Sequence, residues 1–467
     1  MATPISMYIS QSLELLTPPK TPPADSEVKL FHNWPEPETE PDEVHFEIPW
    51  SNYVESADDA DAFHVPHQNV LLLHGPKQKY QHTKEQPIPR LENDREMLVE
   101  VGVIGLNPID WKAPDFGFGL PDLPCISGRD LAGKVVKAPK TRSRCGIGDN
   151  VLAISTDYRD SRKAAYQQYA AVSDFNACRL PGNISAEEAA PLGVAFVAAA
   201  LALGICIGMD FVVANNGPRG PDLLRIVRSL SRDTLSRDIH KECFDGIGEN
   251  ERAKAGDWIV IWGGSSATGC CAVQLAKLAG LKVIAVIDVA RSGERMLRHG
   301  ADLLVDRLDE ERAISIVKGI TKGRLRFGLD TRGKDTAALL AEAMRAEKEG
   351  GGAGSRAHLV GLVGLPKSAT QGVVYHSVPI KSFHEAPQIG EGMMIWLEKL
   401  LEQNLISTPE IEVADGGLEG INAALDRLRD GSVNGPRIVV PLRSYSRGRS
   451  ASCVEASKIS RDNHSIA

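Results

Sequence analysis

The apolar positions along the chain change rhythm, and each change marks a different kind of structure. Between residues 65 and 184 they alternate or cluster in short runs, as in Gln68-Asn-Val-Leu-Leu-Leu73 and Glu96-Met-Leu-Val-Glu-Val-Gly-Val-Ile104. Such runs between turn formers predict strands, and Gly128, Gly133, Gly146 and Gly148 punctuate them at the spacing of a small, partly open β-barrel. Ser185-Ala-Glu-Glu188 is a capping box, so a helix is predicted from there through Ala202. Beyond it, strands over 258–262, 282–287, 303–306, 327–330 and 358–363 alternate with helices that include 310–319 and 335–345. That alternation predicts a mainly parallel, doubly wound sheet, and the chain is of the α/β class. Two amphipathic helices, 391–403 and 418–429, lead to a last strand over 437–442.

The stretch Trp258-Ile-Val-Ile-Trp-Gly-Gly-Ser-Ser-Ala-Thr-Gly269 reads as strand, tight turn and helix start, and Lys282-Val-Ile-Ala-Val-Ile287 completes a β-α-β unit. Such a unit aims backbone N–H groups and a helix N-terminus at a pyrophosphate. Gly264 and Gly269 hold the outer positions of a dinucleotide fingerprint, and Ser266 stands at the middle one. A serine Cβ limits the closest backbone approach, while Ser265, Ser266 and Thr268 add hydroxyl donors. Gly264, Ser265, Ser266, Ala267, Thr268 and Gly269 are therefore the candidate phosphate-binding set, and Gly361 and Leu362, at a later strand end, are further cofactor candidates. The alternative is an ordinary β-α turn that binds nothing. Asp288 closely follows the second strand, where an acid holds the adenosine ribose hydroxyls and favours NAD; Arg291, Arg295 and Arg307 pull toward a 2′-phosphate.

Length and charge narrow the picture further. A chain of 467 residues accommodates two domains plus tails, and a net charge of -8 gives no electrostatic reason to expect nucleic acid. The apolar stretch 189–209 is rich in alanine and glycine, contains a proline, and reads as a packed helix with no membrane role. The N-terminus lacks a basic region and a continuous apolar core, so a cytoplasmic protein is expected. Residues 1–64, rich in proline and acid between 16 and 43, and the Ser/Arg tail 444–467 are expected to be disordered, and the glycine cluster 350–354 to be a loop. A proline-rich ligand role is the alternative for the first of these. The eight cysteines, at 125, 145, 178, 206, 243, 270, 271 and 453, form no regular framework; with no His-Glu-x-x-His, no zinc site is expected. An insertion over 216–256, with a short helix at 221–230 starting on Pro221, reads as a surface excursion, with a lid or docking surface as the sharper alternative.

Taken in order, Asn107-Pro-Ile-Asp-Trp-Lys112, Gly128-Arg-Asp-Leu-Ala-Gly133, Gly148-Asp-Asn-Val151, Ala165-Tyr-Gln-Gln-Tyr169, Glu187-Glu-Ala-Ala-Pro-Leu192, the Gly263–Gly269 turn and His299-Gly-Ala301 resemble the landmarks of the medium-chain dehydrogenase/reductase superfamily over residues 66–443. Gly-Gly-Ser-Ser-Ala-Thr-Gly and Ser382-Phe-His-Glu385 make the chain look most like its zinc-independent branch, specifically the trans-acting enoyl reductases of fungal polyketide synthesis. The resemblance implies a GroES-like barrel domain (65–184), a Rossmann domain (185–394) and a C-terminal return to the barrel (395–443), with the active site in the cleft. Zinc-dependent relatives carry a Cys and a His-Glu pair where this chain has the Pro-Ile-Asp-Trp-Lys run and Arg129-Asp130, so no metal is implied here.

What the resemblance implies chemically is conjugate reduction of an unsaturated thioester. Lys112 is the candidate catalytic residue, either as a cation near the thioester carbonyl or as a donor to the nicotinamide ribose, and Ile109, Asp110 and Trp111 flank it in the implied cofactor cleft. Asp110 is equally explained by turn chemistry. Leu192, Gly193, Val194, Ala195 and Phe196, with Lys381, Ser382, Phe383, His384 and Glu385, are the implied pocket walls, and His384 and Tyr166 the candidate proton donors. NADPH is the expected cofactor, with NADH as the alternative. The expected substrate is a small or acyl-carrier-bound unsaturated molecule, with a polyketide synthase as partner. Rival readings are a free-standing quinone or enone reductase, an alcohol dehydrogenase-like enzyme, and a non-catalytic nucleotide-binding redox sensor.

Overall fold

The computed structural model describes residues 66–213, 217–344, 356–433 and 435–442. The expectations for 1–64, 350–354 and 444–467, and Cys453, lie outside the described residues. Residues 67–179 supply strands β1 (His67–Leu73), β2 (Gln81–Pro87), β3 (Glu96–Gly105), β4 (Cys125–Ile126), β5 (Asp130–Lys137), β6 (Asn150–Ile154), β7 (Tyr169–Ser173) and β8 (Ala177–Arg179). The polar strand β2 lies outside the sequence expectation, because a solvated edge strand carries no apolar alternation. Residues 108–116 depart from the strand-and-turn reading. Asn107-Pro-Ile-Asp starts helix α1 (Pro108–Phe116), with Asp110 closing a capping box on Asn107 and Gly117 ending it at φ 66.

A connecting helix follows the barrel strands. The Ser185/Glu188 capping box forms as expected, but the single helix predicted through Ala202 is broken into α2 (Ala186–Ala189), a tight turn at Ala190–Leu192 and α3 (Gly193–Leu201). Pro191, which has no N–H to donate, sits at the break. This 186–206 segment is apolar and long enough to cross a membrane by composition, yet it is largely buried within the protein.

Next comes the insertion, with helix α4 (Leu223–Arg228) capped by Asp222, so that Pro221 precedes the cap and does not occupy the first helical position. Its surface-excursion reading is corrected by burial: Leu223, Leu224, Val227, Ile239 and Cys243 are all under a tenth exposed and join the core around Phe196, Ile261 and Val273.

The nucleotide half then follows as β9 (Trp258–Trp262), α5 (Ala267–Leu278), β10 (Lys282–Ile287), α6 (Val289–Arg298), β11 (Leu303–Asp306), α7 (Glu310–Thr321), β12 (Phe327–Asp330), α8 (Lys334–Met344), β13 (Ala357–Gly361) and β14 (Val373–Ser377). Among the described residues these strands make a parallel sheet in the order β11-β10-β9-β12-β13-β14. The chain order reverses between β9 and β12, and ligands of such sheets bind at that switch point, beyond the C-terminal strand ends. Strand β9 is apolar on both faces because both are covered: Ile259 and Ile261 join one core, Val260 and Trp262 another.

Helices α9 (Ser382–Glu385) and α10 (Pro387–Glu402) lead back to the barrel, where β15 (Ile411–Val413), α11 (Gly417–Arg429) and β16 (Arg437–Pro441) are the last elements among the described residues. Strand β16 pairs antiparallel with β3, and Leu418, Ile421 and Leu425 of α11 close the barrel core over Met97, Val99 and Leu131. Each such aliphatic side chain taken from water contributes roughly 1.5–3 kcal/mol.

Candidate functional site

The turn after β9 is shaped by two glycines. Gly263 sits at φ 78, and a Cβ there would lie 2.3 Å from Thr331 Oγ1. A Cβ on Gly269 would lie 2.5 Å from the Gly263 carbonyl oxygen, so this glycine lets α5 start hard against the turn. Gly264, one of the two fingerprint glycines, has more room: its Cβ would meet Ala285 at 3.2 Å. Ser266 is committed inside the protein. Its hydroxyl accepts from the Gly269 N–H at 3.1 Å and donates to Thr331 Oγ1 at 3.0 Å, correcting its reading as a donor for a ligand. Ser265, Ala267 and Thr268 remain half-exposed, and a helix's first turn leaves N–H groups without intrahelical acceptors. Thr331, at the end of β12, spans the switch point by donating to the carbonyls of Trp262 and Gly263.

A cleft opens beside this turn. Leu192 and Ala195 form one wall, Ser265, Ala267 and Arg295 another, and Arg437 a third, bringing the connecting helix, the nucleotide half and the C-terminal return to one place. Arg295 Nη2 donates to the Ser265 carbonyl at 3.3 Å, Nη1 lies 3.7 Å from Glu410 Oε2, and its buried Nε has no partner. The groove thus offers a small turn, a helix N-terminus and a guanidinium with spare donor capacity, which fits a pyrophosphate. At the far end of β10, Asp288 caps α6 by accepting from the Arg291 N–H at 3.2 Å, and Arg307 Nη2 lies 3.9 Å from its other oxygen. Acid and the Arg307 guanidinium therefore meet at one corner, while the Arg291 guanidinium lies toward Gly435 of the C-terminal return. Gly361 and Leu362 lie at the C-terminal end of β13, where the Leu362 N–H donates to the Asp330 carbonyl at 2.8 Å.

A second polar centre lies where barrel, connecting helix and return strand meet. The Asn107 N–H donates to Asp110 Oδ2 and its amide Nδ2 to Asp130 Oδ2, each at 2.8 Å. Asp130 Oδ1 accepts from the Val194 N–H at 2.8 Å, at the start of α3. Arg437 donates to Asn107 Oδ1 at 2.7 Å and to the Leu106 carbonyl. Gly193 is needed here, since a Cβ would lie 2.5 Å from Asp130 Oδ1. Burial raises the Asp130 carboxyl to about 7, against the hydrogen bonds from Asn107 and Val194 and the charge of Arg437, and with the charge of Asp110. Burial also raises Asp110, against the Asn107 hydrogen bond and the charge of Arg129.

These contacts sort the remaining candidates. Asp110 is a buried capping residue and does not line the cleft. Trp111 packs against Phe116 and under Arg429. Ile109 and Lys112 are half-buried on α1; Lys112 Nζ lies 5.6 Å from the Trp111 ring centre, and no carboxylate pairs with it among the described residues. Phe196 is fully buried against Trp396, and Ser382 and Phe383 are fully buried as well, which corrects their reading as pocket walls: these side chains fill the core. Gly193 and Val194 serve the Asp130 junction. Tyr166 is fully buried, edge-on to Tyr80, and burial with the nearby Asp110 charge holds its phenol well above the ordinary range, so it is not placed to give up a proton. His384 stays in reach of both domains: Nδ1 hydrogen-bonds Thr156 Oγ1 at 2.8 Å across from the barrel, and burial pushes its imidazole down. Lys381 and Glu385 are held by the insertion, Lys381 by Asp238 at 2.7 Å and Glu385 by Ser236.

Several of these residues escaped the sequence. Arg437 and Thr331 carry no motif, and Asn107 was legible only as the residue before Pro108; its place as an N-cap followed by Asp110 was the available signal. Among the described residues no group of three or more His, Cys, Asp or Glu side chains is placed to hold a metal ion.

Residues 93–195 match the alcohol dehydrogenase GroES-like domain family. Together with the barrel, the switch-point sheet and the cleft between them, this places the chain among the oxidoreductases of the medium-chain dehydrogenase/reductase superfamily. In sequence it is similar to the fungal trans-enoyl reductases: it is 27% identical over 387 residues to trans-enoyl reductase BOA5 of Botryotinia fuckeliana, covering 76% of this chain and 95% of that protein. In structure it resembles an alcohol dehydrogenase superfamily protein from Novosphingobium aromaticivorans, with a TM-score of 0.61, 18% identity and coverage of 80% of this chain and 100% of that one. It also resembles mycobacterial Rv1454c complexed with NADPH, with a TM-score of 0.56, 15% identity and coverage of 80% and 99%.

Proposed function

We propose that the protein is an NADPH-dependent, zinc-independent reductase of polarised carbon–carbon double bonds, acting as a trans enoyl reductase on a polyketide thioester in the cytoplasm. The observation that carries this reading is the cleft that Ser265 and Ala267 of the turn line together with Arg295, Leu192 and Arg437, with Asp288 and Arg307 paired after β10. The names of the fungal relatives and the NADPH complex of a fold neighbour support it.

When bound, a nicotinamide dinucleotide supplies hydride. The first turn of α5 and Arg295 bind its pyrophosphate, Asp288 takes ribose hydroxyls, and Arg291 and Arg307 take a 2′-phosphate. Lys112 then serves the acceptor: a cation beside a thioester carbonyl stabilises the negative charge that develops on oxygen during conjugate addition. His384, hydrogen-bonded to Thr156, is the candidate proton source for the α-carbon in its imidazolium form, which burial disfavours, so the step should slow as pH rises.

Assaying the purified protein with NADPH against α,β-unsaturated thioesters, enones and quinones tests the proposal. Turnover of a crotonyl thioester is expected. Turnover of quinones alone would replace it with the quinone reductase reading, and cofactor binding without turnover with the sensor reading.

A further inference from the structure

The insertion was the one long segment the fold did not demand, and its contacts converge on two places. Its inner end is stapled to the nucleotide sheet by buried polar groups. Glu242 Oε2 accepts from His376 Nδ1 at 2.7 Å, its other oxygen accepts from the Ser377 N–H at 3.3 Å, and His376 Nε2 meets His358 Nδ1 at 2.9 Å. Both histidines are fully buried on β13 and β14. Glu251, at the end of the insertion, takes two hydrogen bonds from Arg356 at 2.9 and 2.7 Å, and Lys241 Nζ donates to the Tyr375 carbonyl on the outer strand. Breaking a buried polar chain of this kind leaves unsatisfied groups in the interior, so this end is fixed.

The other place is α9. Ser236 gives Glu385 both its N–H, at 2.8 Å, and its hydroxyl, and Asp238 pairs with Lys381 at 2.7 Å. Between those two anchored residues sits His384, whose ring reaches Thr156 on the barrel side, while the Phe383 carbonyl accepts from Asn176 of the barrel at 2.8 Å. Helix α9 is thus a bridge between the two halves of the protein. One turn long, it has too few internal hydrogen bonds to hold its own position.

The geometry points to the insertion as a strut: Ser236 and Asp238 are positioning residues that hold α9, and with it His384, at the barrel wall. The inference deepens the proposed reductase function and rests on it only for its kinetic consequence. A strut fixed by the buried Glu242–His376–His358 chain at one end and gripping α9 at the other holds the His384–Thr156 hydrogen bond in place, and so the shape of the hollow that the two residues line with Leu131, Lys163 and Asn176. It is a fixed part of the wall, which replaces the lid reading of this segment.

The test uses the full chain, comparing wild type with the Ser236→Ala/Asp238→Ala double variant. Arg237→Ala, an exposed neighbour between the two positions, is the control. Hydrogen exchange of the 381–385 amides should speed up by about tenfold or more in the double variant and stay unchanged in the control, because local opening is governed by the contacts that hold the element. The His384 ring resonances should shift as its surroundings, Asp157, Glu385, Lys163 and Lys381, rearrange. KM for long enoyl thioesters should rise several-fold, more than kcat falls, with NADPH affinity unchanged. Unchanged exchange and unchanged His384 resonances in the folded double variant would overturn the strut. If both move but the wild type reduces no thioester, the strut stands and the reductase assignment falls.

Discussion

The cofactor turn and the Asp130 junction are both tight, polar and central, yet they are held by opposite means. The turn is mostly local: Gly263 and Gly269 lie close in sequence, and backbone contacts around one β-α-β unit fix it, with Thr331 and Arg295 reaching in from further along the chain. The junction is assembled from Asn107, Asp130, Val194 and Arg437, four stretches that meet only when barrel, connecting helix and return strand are in place. A site built from backbone and glycine is insensitive to pH and intolerant of added volume. One built from buried carboxylates answers to pH as well as to volume, and it couples the cleft wall to the protonation of a side chain.

The junction should dominate the pH dependence of stability. The Asp130 carboxyl is raised by burial from 3.8 to about 7, so the folded state holds a proton that the unfolded state has released between those values. Folded-state proton binding exceeding unfolded-state binding means that stability falls as pH rises through this window, by up to about 1.4 kcal/mol per pH unit. Urea unfolding of Asp130→Asn across the same range should lack that slope; an identical slope in both proteins would show that the junction titrates normally. Arg437→Met removes the guanidinium that satisfies Asn107 and neutralises the carboxylates, and should cost about 2–3 kcal/mol in the same measurement at neutral pH. A loss under 0.5 kcal/mol would show that water replaces it.

The turn should answer to volume. Gly269→Ala forces a Cβ to within 2.5 Å of the Gly263 carbonyl. Fluorescence titration should show NADPH affinity weakened at least about tenfold, with a strain cost of about 1–3 kcal/mol in the folded protein. Smaller still, Arg291→Ala should weaken NADPH by about tenfold while leaving NADH nearly unchanged, the loss of one charge-assisted contact. Equal effects on the two cofactors would remove the 2′-phosphate assignment.

The same contrast explains what could be read from the sequence. The β-α-β unit, the capping box at Ser185 and the doubly wound order were legible because periodicity, caps and glycine turns are local signals. The helix at Pro108–Phe116 was misread because Asn-Pro-Ile-Asp serves a turn or an N-cap equally well, and only the packing of α1 against α11 decides between them. The core place of Phe196 is not legible, because the apolar helix around it has no polar face to say which side meets a cleft and which meets Trp396. The insertion looked superficial since its apolar residues are spread over short turns, and the Glu242–His376–His358 chain that anchors it joins residues more than a hundred positions apart.

The central claim is hydride delivery to an electron-poor double bond in the cleft between barrel and nucleotide sheet, and a labelled turnover tests it most directly. With NADPH carrying deuterium at the transferable position and a crotonyl thioester, the account predicts a saturated product with deuterium on the β-carbon, and a rate lowered about a hundredfold in Lys112→Met at unchanged stability. No saturated product, or a product without deuterium at that carbon, would contradict it.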